Sequence, residues 1–261
     1  MVMKLATWNV NSLKVRLPQV IDWLVEHQPD VLCLQEIKLV NENFPINEIK
    51  AAGYESVFSG QKTYNGVAML SKRQGSNIVT AIPGLADEQK RVIAATYGDL
   101  RVICAYVPNG ENVESEKYEY KLRWLPAFTQ WLKQELIDYK RLAVLGDFNI
   151  APEDRDVYDA ELWKGKVLCS GPERSAFGNM LNLGLTDSFR LFEQPEKSYT
   201  WWDYRMMAFR RNQGLRIDHI LLSEELCSAC MTCTIDKTMR KLDRPSDHAP
   251  VLVELACSMD I

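Results

Sequence analysis

Carboxylate, amide and imidazole side chains cluster at five places in this 261-residue chain, and each cluster follows or borders a short apolar run. Carboxylates bind hard divalent cations, and both carboxylates and imidazoles act as general acids and bases. A single Asp or Asn in such a place is more often a turn former or a helix cap, so a functional prediction depends on the five occurring together. The clusters are Trp8-Asn9-Val10-Asn11, Gln35-Glu36, Tyr106-Val107-Pro108-Asn109-Gly110, Gly146-Asp147-Phe148-Asn149, and Asp218 with Ser246-Asp247-His248.

The apolar runs beside these clusters are rich in Val, Ile and Leu, which is typical of buried strands. Helical patterns lie between several of them, at residues 16–26, 114–136 and 174–183. Alternation of strands and helices predicts an α/β fold, in which loops at the ends of strands carry the functional residues. The predicted strands are residues 4–8, 31–35, 67–71, 92–96, 102–107, 142–145, 217–222 and 251–255.

The composition is that of a globular protein with a large core, since 46% of the residues are hydrophobic and 25% are charged. No low-complexity linker divides the chain, so we expect one catalytic domain over residues 1–261. The amino-terminal residues lack the features of a signal peptide, and no apolar run is long enough to span a membrane. Seven cysteines, an odd number, fit a reducing compartment better than a disulfide framework. We therefore expect a cytoplasmic protein.

We assign no catalytic or metal-binding role to three clustered cysteines and two histidines. Cys227, Cys230 and Cys233 have the spacing of a metal site but no nearby fourth Cys or His to complete a tetrahedral set. The missing ligand argues against a metal site and favours the alternative structure, a helix end that runs into a half-buried strand. His27 is expected on the surface at the end of a helix, and His219 is expected to pack within a strand.

The net charge of −4 argues against a protein that coats nucleic acid nonspecifically, because such proteins are usually basic. Two local stretches are basic nevertheless. Residues 201–216 contain four arginines and one aspartate, and residues 237–244 contain two lysines and two arginines. Both stretches could hold phosphates, and solvated loops are the alternative interpretation.

The ordered set of clusters resembles the endonuclease/exonuclease/phosphatase superfamily, which has the deoxyribonuclease I-like fold, from the first strand to the last. The stretches 106–110, 200–205 and 214–219 are similar to the exonuclease III branch of bacterial abasic-site endonucleases. Short strings such as Ser-Asp-His occur by chance, but their occurrence in family order along one chain is specific. The resemblance implies a four-layer α/β sandwich, in which two packed mixed sheets are flanked by helices.

The resemblance also implies a site for Mg²⁺, with Mn²⁺ as an alternative. Glu36 would be the principal ligand, because Mg²⁺ takes one or two carboxylates and keeps several waters. Asn11 would lie near the metal, at a position where some relatives carry an aspartate. The other residues expected around the metal are Asn9, Asp147, Asn149, Asp247 and His248.

Catalytic roles follow from the resemblance and from the needs of phosphodiester hydrolysis. Asp147 would orient and deprotonate the attacking water, and Asn149 and Asn9 would offer amide hydrogen bonds to that water and to the phosphate.

His248 would face the phosphate as an imidazolium, which requires a carboxylate partner that raises its pKa. Asp218 matches the family residue in that role. Tyr106 would donate a hydrogen bond to a phosphate oxygen.

DNA contacts are implied around the segment 204–213. Trp201, Leu215 and Ile217 correspond to an apolar pocket for a flipped deoxyribose that lacks its base. The segment itself, with its methionines and arginines, resembles a loop that enters a DNA groove and holds kinked DNA. The residues expected to contact DNA are Asn109, Lys121, Arg210, Arg211 and Asn212.

The function expected from the resemblance is a Mg²⁺-dependent abasic-site endonuclease of base excision repair, with 3′→5′ exonuclease and 3′-end-cleaning activity. Its substrate would be double-stranded DNA with abasic sites or blocked 3′ ends, and it would act as a monomer without an obligate protein partner. The main alternative is a paralogue specialised for 3′ ends, because one bulky side chain near the pocket could block the abasic sugar. A lipid or RNA phosphodiesterase on the same fold is disfavoured by residues 200–205 and 215–218. Retention of the full catalytic set argues against a non-catalytic DNA-binding protein.

Overall fold

The computed structural model describes residues 2–257, and this part of the chain contains twelve strands and six α-helices. The strands are β1 (Met3–Asn9), β2 (Val31–Gln35), β3 (Glu55–Ser59), β4 (Val67–Ser71), β5 (Ser76–Val79), β6 (Val92–Tyr97), β7 (Leu100–Tyr106), β8 (Arg141–Asp147), β9 (Leu185–Asp187), β10 (Asp218–Ser223), β11 (Cys230–Ile235) and β12 (Val251–Leu255). The helices are α1 (Leu13–His27), α2 (Ile46–Ala51), α3 (Glu116–Asp138), α4 (Ala160–Trp163), α5 (Gly171–Leu181) and α6 (Glu224–Ser228).

The strands form two six-stranded sheets. The order of the first is β11-β12-β1-β2-β4-β3, and the order of the second is β5-β6-β7-β8-β10-β9. In the first sheet β1 is parallel to β2, and in the second β7 is parallel to β8. The other neighbouring strands are antiparallel, so both sheets are mixed.

The two sheets pack face to face across an apolar interface, because side chains alternate between the two faces of each strand and apolar ones point inward. Leu5 and Val253 of the first sheet belong to the same buried cluster as Val102 and Leu145 of the second.

Helices cover the two outer faces. Trp23 of α1 packs on the first sheet, and Trp124 of α3 and Phe177 of α5 pack on the second. The predicted four-layer α/β sandwich is confirmed. Within residues 2–257, no helix is long and apolar enough to cross a membrane.

All eight predicted strands and all three predicted helices are present, with ends shifted by at most three residues. Strands β3, β5 and β9 were not predicted, because β3 is half-buried, β5 is largely exposed and β9 has three residues. The segment with Cys227, Cys230 and Cys233 has the alternative structure that was favoured for it, since the helix α6 runs into the half-buried strand β11.

Candidate active site

Strand register brings the polar clusters together at one edge of the sandwich. In the first sheet Asn9, the last residue of β1, pairs with Gln35 at the end of β2. In the second sheet Asp147 at the end of β8 lies between Tyr106 of β7 and Asp218 of β10. The parallel pairs β1–β2 and β7–β8 therefore end at the site.

One amide group joins the two sheets at this edge. The Asn9 Nδ2 atom donates to Glu36 Oε1 at 2.8 Å and to Asp147 Oδ2 at 2.9 Å. Asn9 and Asp147 are buried, and Glu36 is half-buried. The two carboxylates, one carried by each sheet, therefore converge on the same point.

The backbone turns sharply after two of the strands that deliver these groups. Glu36 has a φ of 51° and Asn149 a φ of 49°, both in the left-handed region. Asn tolerates this conformation, whereas for Glu it costs on the order of 1–3 kcal/mol and is found where the surroundings enforce it, often at active sites. The turn at Glu36 is held by backbone hydrogen bonds, including Ser12 N–H to Glu36 O at 2.7 Å.

His248 and Asp218 form a buried pair, in which His248 Nδ1 lies 2.9 Å from Asp218 Oδ2. The other ring nitrogen, Nε2, lies 3.8 Å from Asp147 Oδ2. Burial alone would lower the pKa of His248, but the carboxylates of Asp218, Asp147 and Asp247 outweigh it and raise the pKa to about 10. His248 is therefore an imidazolium at neutral pH.

Burial has the opposite consequence for Asp147, because it disfavours the carboxylate. Burial, with Asp218 and Glu36 nearby, raises the pKa of Asp147 to about 7, although His248 and the Asn9 hydrogen bond act to lower it. A carboxyl group with this pKa gains and loses a proton near neutral pH, as a general base requires.

Tyr106 contributes a protonated phenol. Burial and the nearby Glu36 and Asp147 carboxylates hold the pKa of Tyr106 well above its ordinary value. The Arg91 guanidinium lies 4.8 Å from the centre of the Tyr106 ring, and its Nη1 donates to Tyr106 O at 3.2 Å. The raised pKa keeps the phenol protonated, so Tyr106 can donate a hydrogen bond near the carboxylates.

A cluster that could hold a metal is formed by Glu36, Asp147 and His248, whose ligand atoms lie within 4.8 Å of one another. The carboxylates that raise the pKa of His248 favour its imidazolium form, which offers no lone pair to a cation. The Glu36 and Asp147 oxygens remain, and one or two carboxylates are the protein ligands that Mg²⁺ commonly takes. The residues present therefore fit a divalent cation at this point.

The other residues that were predicted to lie around the metal make other contacts. Asn9 and Asn149 turn N–H groups toward the carboxylates, so they orient these ligands rather than donate a lone pair.

The Asp247 oxygens accept from Asn11 Nδ2 and Trp201 Nε1, both at 2.9 Å. Among the described residues, Asp247 is not part of the cluster that could hold a metal.

Sequence reasoning missed Lys38, which lies two residues after Glu36. Its Nζ is 2.9 Å from Glu36 Oε2 and 2.5 Å from Asn11 Oδ1. The ammonium therefore contacts one oxygen of the expected metal ligand. No periodic pattern marks Lys38, because it lies in a loop with a φ of 54°.

The expected DNA contact by Lys121 is corrected by the structure. Its side chain has no exposed surface, and its Nζ donates to Glu173 Oε1 and to the carbonyl oxygens of Asn109 and Asn149. An ammonium in this position cannot reach a DNA phosphate. Its burial could have been read from the sequence, because Lys121 shares a helix face with Trp124 and Phe128.

Two residues of the expected sugar pocket are buried. Leu215 is 0% exposed and Ile217 is 2% exposed, and both belong to an apolar cluster with Val157 and Leu168. Trp201, which is half-buried, also packs against this cluster. Leu168 has a φ of 73°, an unusual conformation for a bulky residue.

Trp201 also lines an open cleft of about 570 Å³ on the neighbouring surface. Tyr158, Trp163, Met206 and Arg211 lie on the same cleft. Aromatic faces beside a cation are suited to stacking with bases or sugars.

The segment 204–213 projects beside this cleft. Met206 and Met207 are 75% and 58% exposed, and Arg210 and Arg211 are exposed as well. Asn212 fixes the base of the segment, since its Oδ1 accepts from Trp202 Nε1 at 3.1 Å and its Nδ2 donates to Lys197 O. Asn109 is exposed and donates to Asn149 Oδ1 at 2.9 Å.

This architecture and this site define the class of protein. Residues 6–248 match the family described as the endonuclease/exonuclease/phosphatase family, and the chain belongs to it. Within that family its relatives are DNA-repair nucleases named exodeoxyribonuclease III and AP endonuclease, and the chain is an enzyme of this group.

Three similar proteins match this chain over nearly their whole lengths. A solved structure of a 3′ phosphatase from Neisseria bound to product DNA hairpin is 48% identical, covers 97% of this chain and 99% of that chain, and has a TM-score of 0.95. An AP endonuclease from Archaeoglobus fulgidus is 36% identical, covers 98% of this chain and 100% of that chain, and has a TM-score of 0.94. The exodeoxyribonuclease III of Haemophilus influenzae is 36% identical over 97% of this chain and 99% of the relative.

Proposed function

We propose that this DNA-repair nuclease is a Mg²⁺-dependent hydrolase whose principal substrates are the 3′ ends of duplex DNA. It would remove 3′ phosphates and other 3′ blocking groups and act as a 3′→5′ exonuclease. Incision at abasic sites is the second candidate, supported by the similarity to the Archaeoglobus fulgidus AP endonuclease. We expect a monomer without an obligate protein partner.

The observation that carries the choice of substrate is the burial of Leu215 and Ile217. A pocket for a flipped deoxyribose must expose its lining, yet these two side chains are 0% and 2% exposed. Leu168, 4% exposed, packs in the same apolar cluster. A terminal 3′ phosphate needs no such pocket, because the phosphate itself reaches the carboxylates.

The same catalytic groups serve both substrates. Asp147 takes a proton from a water, and the water oxygen attacks phosphorus. The bond from phosphorus to the 3′ oxygen breaks, and the departing oxygen takes a proton from solvent to become a 3′ hydroxyl. The His248 imidazolium stabilises the negative charge that builds on the phosphoryl oxygens, and Tyr106 donates a hydrogen bond to one of them. Asn149 and Asn9 hold the Asp147 carboxylate in place.

A bound Mg²⁺ would supply further neutralisation of charge on the phosphate and the leaving oxygen. Glu36 and Asp147 would hold it. The exposed Arg210 and Arg211 would bind the duplex through its phosphates.

A direct test compares three labelled duplexes, one with a 3′ phosphate, one with an unmodified 3′ end, and one with an internal tetrahydrofuran abasic analogue. We expect loss of activity in EDTA, recovery with Mg²⁺ or Mn²⁺, and faster processing of the 3′ phosphate than of the abasic analogue. Preferential cleavage 5′ to the analogue would make the abasic-site endonuclease the correct assignment. No processing of any duplex would refute the nuclease proposal.

Leu168→Gly tests the role of the filled pocket, because it removes the side chain and suits the left-handed backbone. We expect the ratio of abasic incision to 3′-phosphate removal to rise by about tenfold or more, a change of roughly 1.4 kcal/mol in relative barrier. Val144→Ala, in the core below α3, is the control for lost apolar volume. An unchanged ratio would mean that Leu168 does not select the substrate.

A further inference from the structure

Lys121 and Glu173 form a buried ion pair behind the catalytic loops. Lys121 lies on α3 and Glu173 on α5, and both side chains have 0% exposure. The Lys121 Nζ donates to Glu173 Oε1 at 2.5 Å, to Asn149 O at 2.7 Å and to Asn109 O at 3.2 Å. These three acceptors match the three N–H bonds of an ammonium group.

Glu173 uses its remaining lone pairs on the turn that contains Leu168. Its Oε1 accepts from Leu168 N at 2.9 Å, and its Oε2 accepts from Ser170 N at 3.1 Å and from Ser170 Oγ at 2.6 Å. The left-handed conformation at Leu168 is therefore fixed by this carboxylate. The Tyr118 hydroxyl, 2.6 Å from Ser170 Oγ, adds a further link to α3.

On its other side, Lys121 is connected to the catalytic base through two asparagines. Asn109 Nδ2 donates to Asn149 Oδ1 at 2.9 Å. Asn149 donates to both Asp147 oxygens, from its backbone N at 2.9 Å and from Nδ2 at 3.2 Å. The backbone carbonyl oxygens of the same two asparagines accept hydrogen bonds from Lys121, so the ion pair holds the backbone of both Asn109 and Asn149.

We propose that Lys121 and Glu173 are a positioning unit that fixes the Asn149 and Leu168 turns in one geometry and so aligns Asp147 to take the proton of the attacking water. This proposal rests on the proposed phosphoester hydrolysis. Desolvation of a buried ion pair offsets its Coulomb attraction, so such a pair contributes little net stability relative to apolar side chains of similar volume. What it contributes here is geometry, since a base displaced by about 1 Å can lose two orders of magnitude in rate.

The double variant Lys121→Met/Glu173→Met separates positioning from stability. Each single variant leaves one buried charge without its partner and should lower the melting temperature strongly, whereas the double variant leaves none and should recover most of it. We expect the double variant to keep a kcat about 10- to 100-fold below wild type on the 3′-phosphate duplex, with KM changed by less than about threefold.

A second buried ion pair, between Arg101 of β7 and Glu135 of α3, provides the matched control. Arg101 Nε lies 2.6 Å from Glu135 Oε2, at the opposite end of β7 from Tyr106. Arg101→Met/Glu135→Met should leave kcat within about twofold of wild type at a comparable melting temperature. If the Lys121/Glu173 double variant recovers both melting temperature and kcat, the pair is structural only and the proposal is wrong.

A further readout reports on alignment itself. A crystal structure of the double variant should show Asn149 displaced from Asp147, a result that does not depend on activity. Asn149 in its wild-type position together with a wild-type kcat would overturn the inference, whereas an inactive wild-type enzyme would refute the proposed function alone.

Discussion

His219 and His248 are buried to nearly the same extent, with 1% and 4% of their surfaces exposed, but they have opposite protonation states. The pKa of His248 is raised to about 10, whereas burial and the Arg216 guanidinium lower the pKa of His219 to about 4. His219 Nδ1 lies 3.0 Å from Arg216 Nη1, and its Nε2 donates to Ile150 O at 2.9 Å. His219 is thus a neutral ring and His248 a cation.

The comparison shows that neighbouring charge, and not depth, decides the state of a buried imidazole. Asp218 and His219 are consecutive residues of β10, so their side chains leave opposite faces of the strand. On one face, Asp218 meets His248. On the other face, His219 meets Arg216, whose own charge is balanced by Asp156 and Asp187. One strand therefore supports a catalytic cation and a neutral structural contact side by side.

Asp147→Asn should have the largest effect on the charged side of this comparison, because it removes the base and one carboxylate next to His248. We expect kcat to fall by about 10³-fold or more, within the range for loss of a general base and its electrostatic contribution. DNA affinity, measured by fluorescence anisotropy in EDTA, should change little. Substantial turnover by this variant would assign the base to another residue.

Asp218→Asn should have the next largest effect, because it removes the principal partner of His248. We expect kcat at neutral pH to fall about 10²-fold, and the alkaline limb of the pH–kcat profile to move to lower pH as the pKa of His248 falls. In the wild type, the alkaline limb should fall near pH 10 as His248 loses its proton. An unchanged alkaline limb in the variant would show that His248 is not the group that causes this limb.

The two histidines should also give opposite slopes of stability against pH. The raised pKa of His248 contributes stability that is complete below the unfolded pKa of about 6.5 and is lost as the pH rises toward 10. The lowered pKa of His219 contributes stability that is complete above about 6.5 and is lost as the pH falls toward 4. Each slope is at most about 1.4 kcal/mol per pH unit. Urea titrations from pH 4 to 10 measure both.

His219→Gln should have the smallest effect and sharpens the comparison. We expect a loss of roughly 1–3 kcal/mol in the free energy of unfolding, because a buried partner of Arg216 is replaced imperfectly. The acidic stability slope should diminish in this variant, while the alkaline limb of the pH–kcat profile stays in place. A shifted alkaline limb would show that the two rings are coupled through β10.

Much of this arrangement was predictable from the sequence, because it follows from local patterns. Apolar runs predicted the strands that end at Asn9, Gln35, Tyr106 and Asp147, and family resemblance supplied the pairing of distant clusters. The capping box of Ser170 and Glu173 was also readable, and it marks the start of α5 three residues before the predicted start.

Other features depend on contacts that no local pattern encodes. The left-handed turn at Leu168 is set by Glu173, and the position of Lys38 is set by Glu36 and Asn11. The burial of Lys121 was readable from the helix face that it shares with Trp124 and Phe128, but its three hydrogen-bond acceptors become visible only in three dimensions.

The bridge made by Asn9 gives the interface between the sheets a mechanical role. Because this side chain links a carboxylate on each sheet, any sliding of one sheet over the other separates the base from the expected metal ligand. The packing of the apolar interior therefore sets the distance between the Glu36 and Asp147 carboxylates. Overpacking substitutions deep in that interior, such as Ala143→Leu, should slow turnover at temperatures where the protein is still folded.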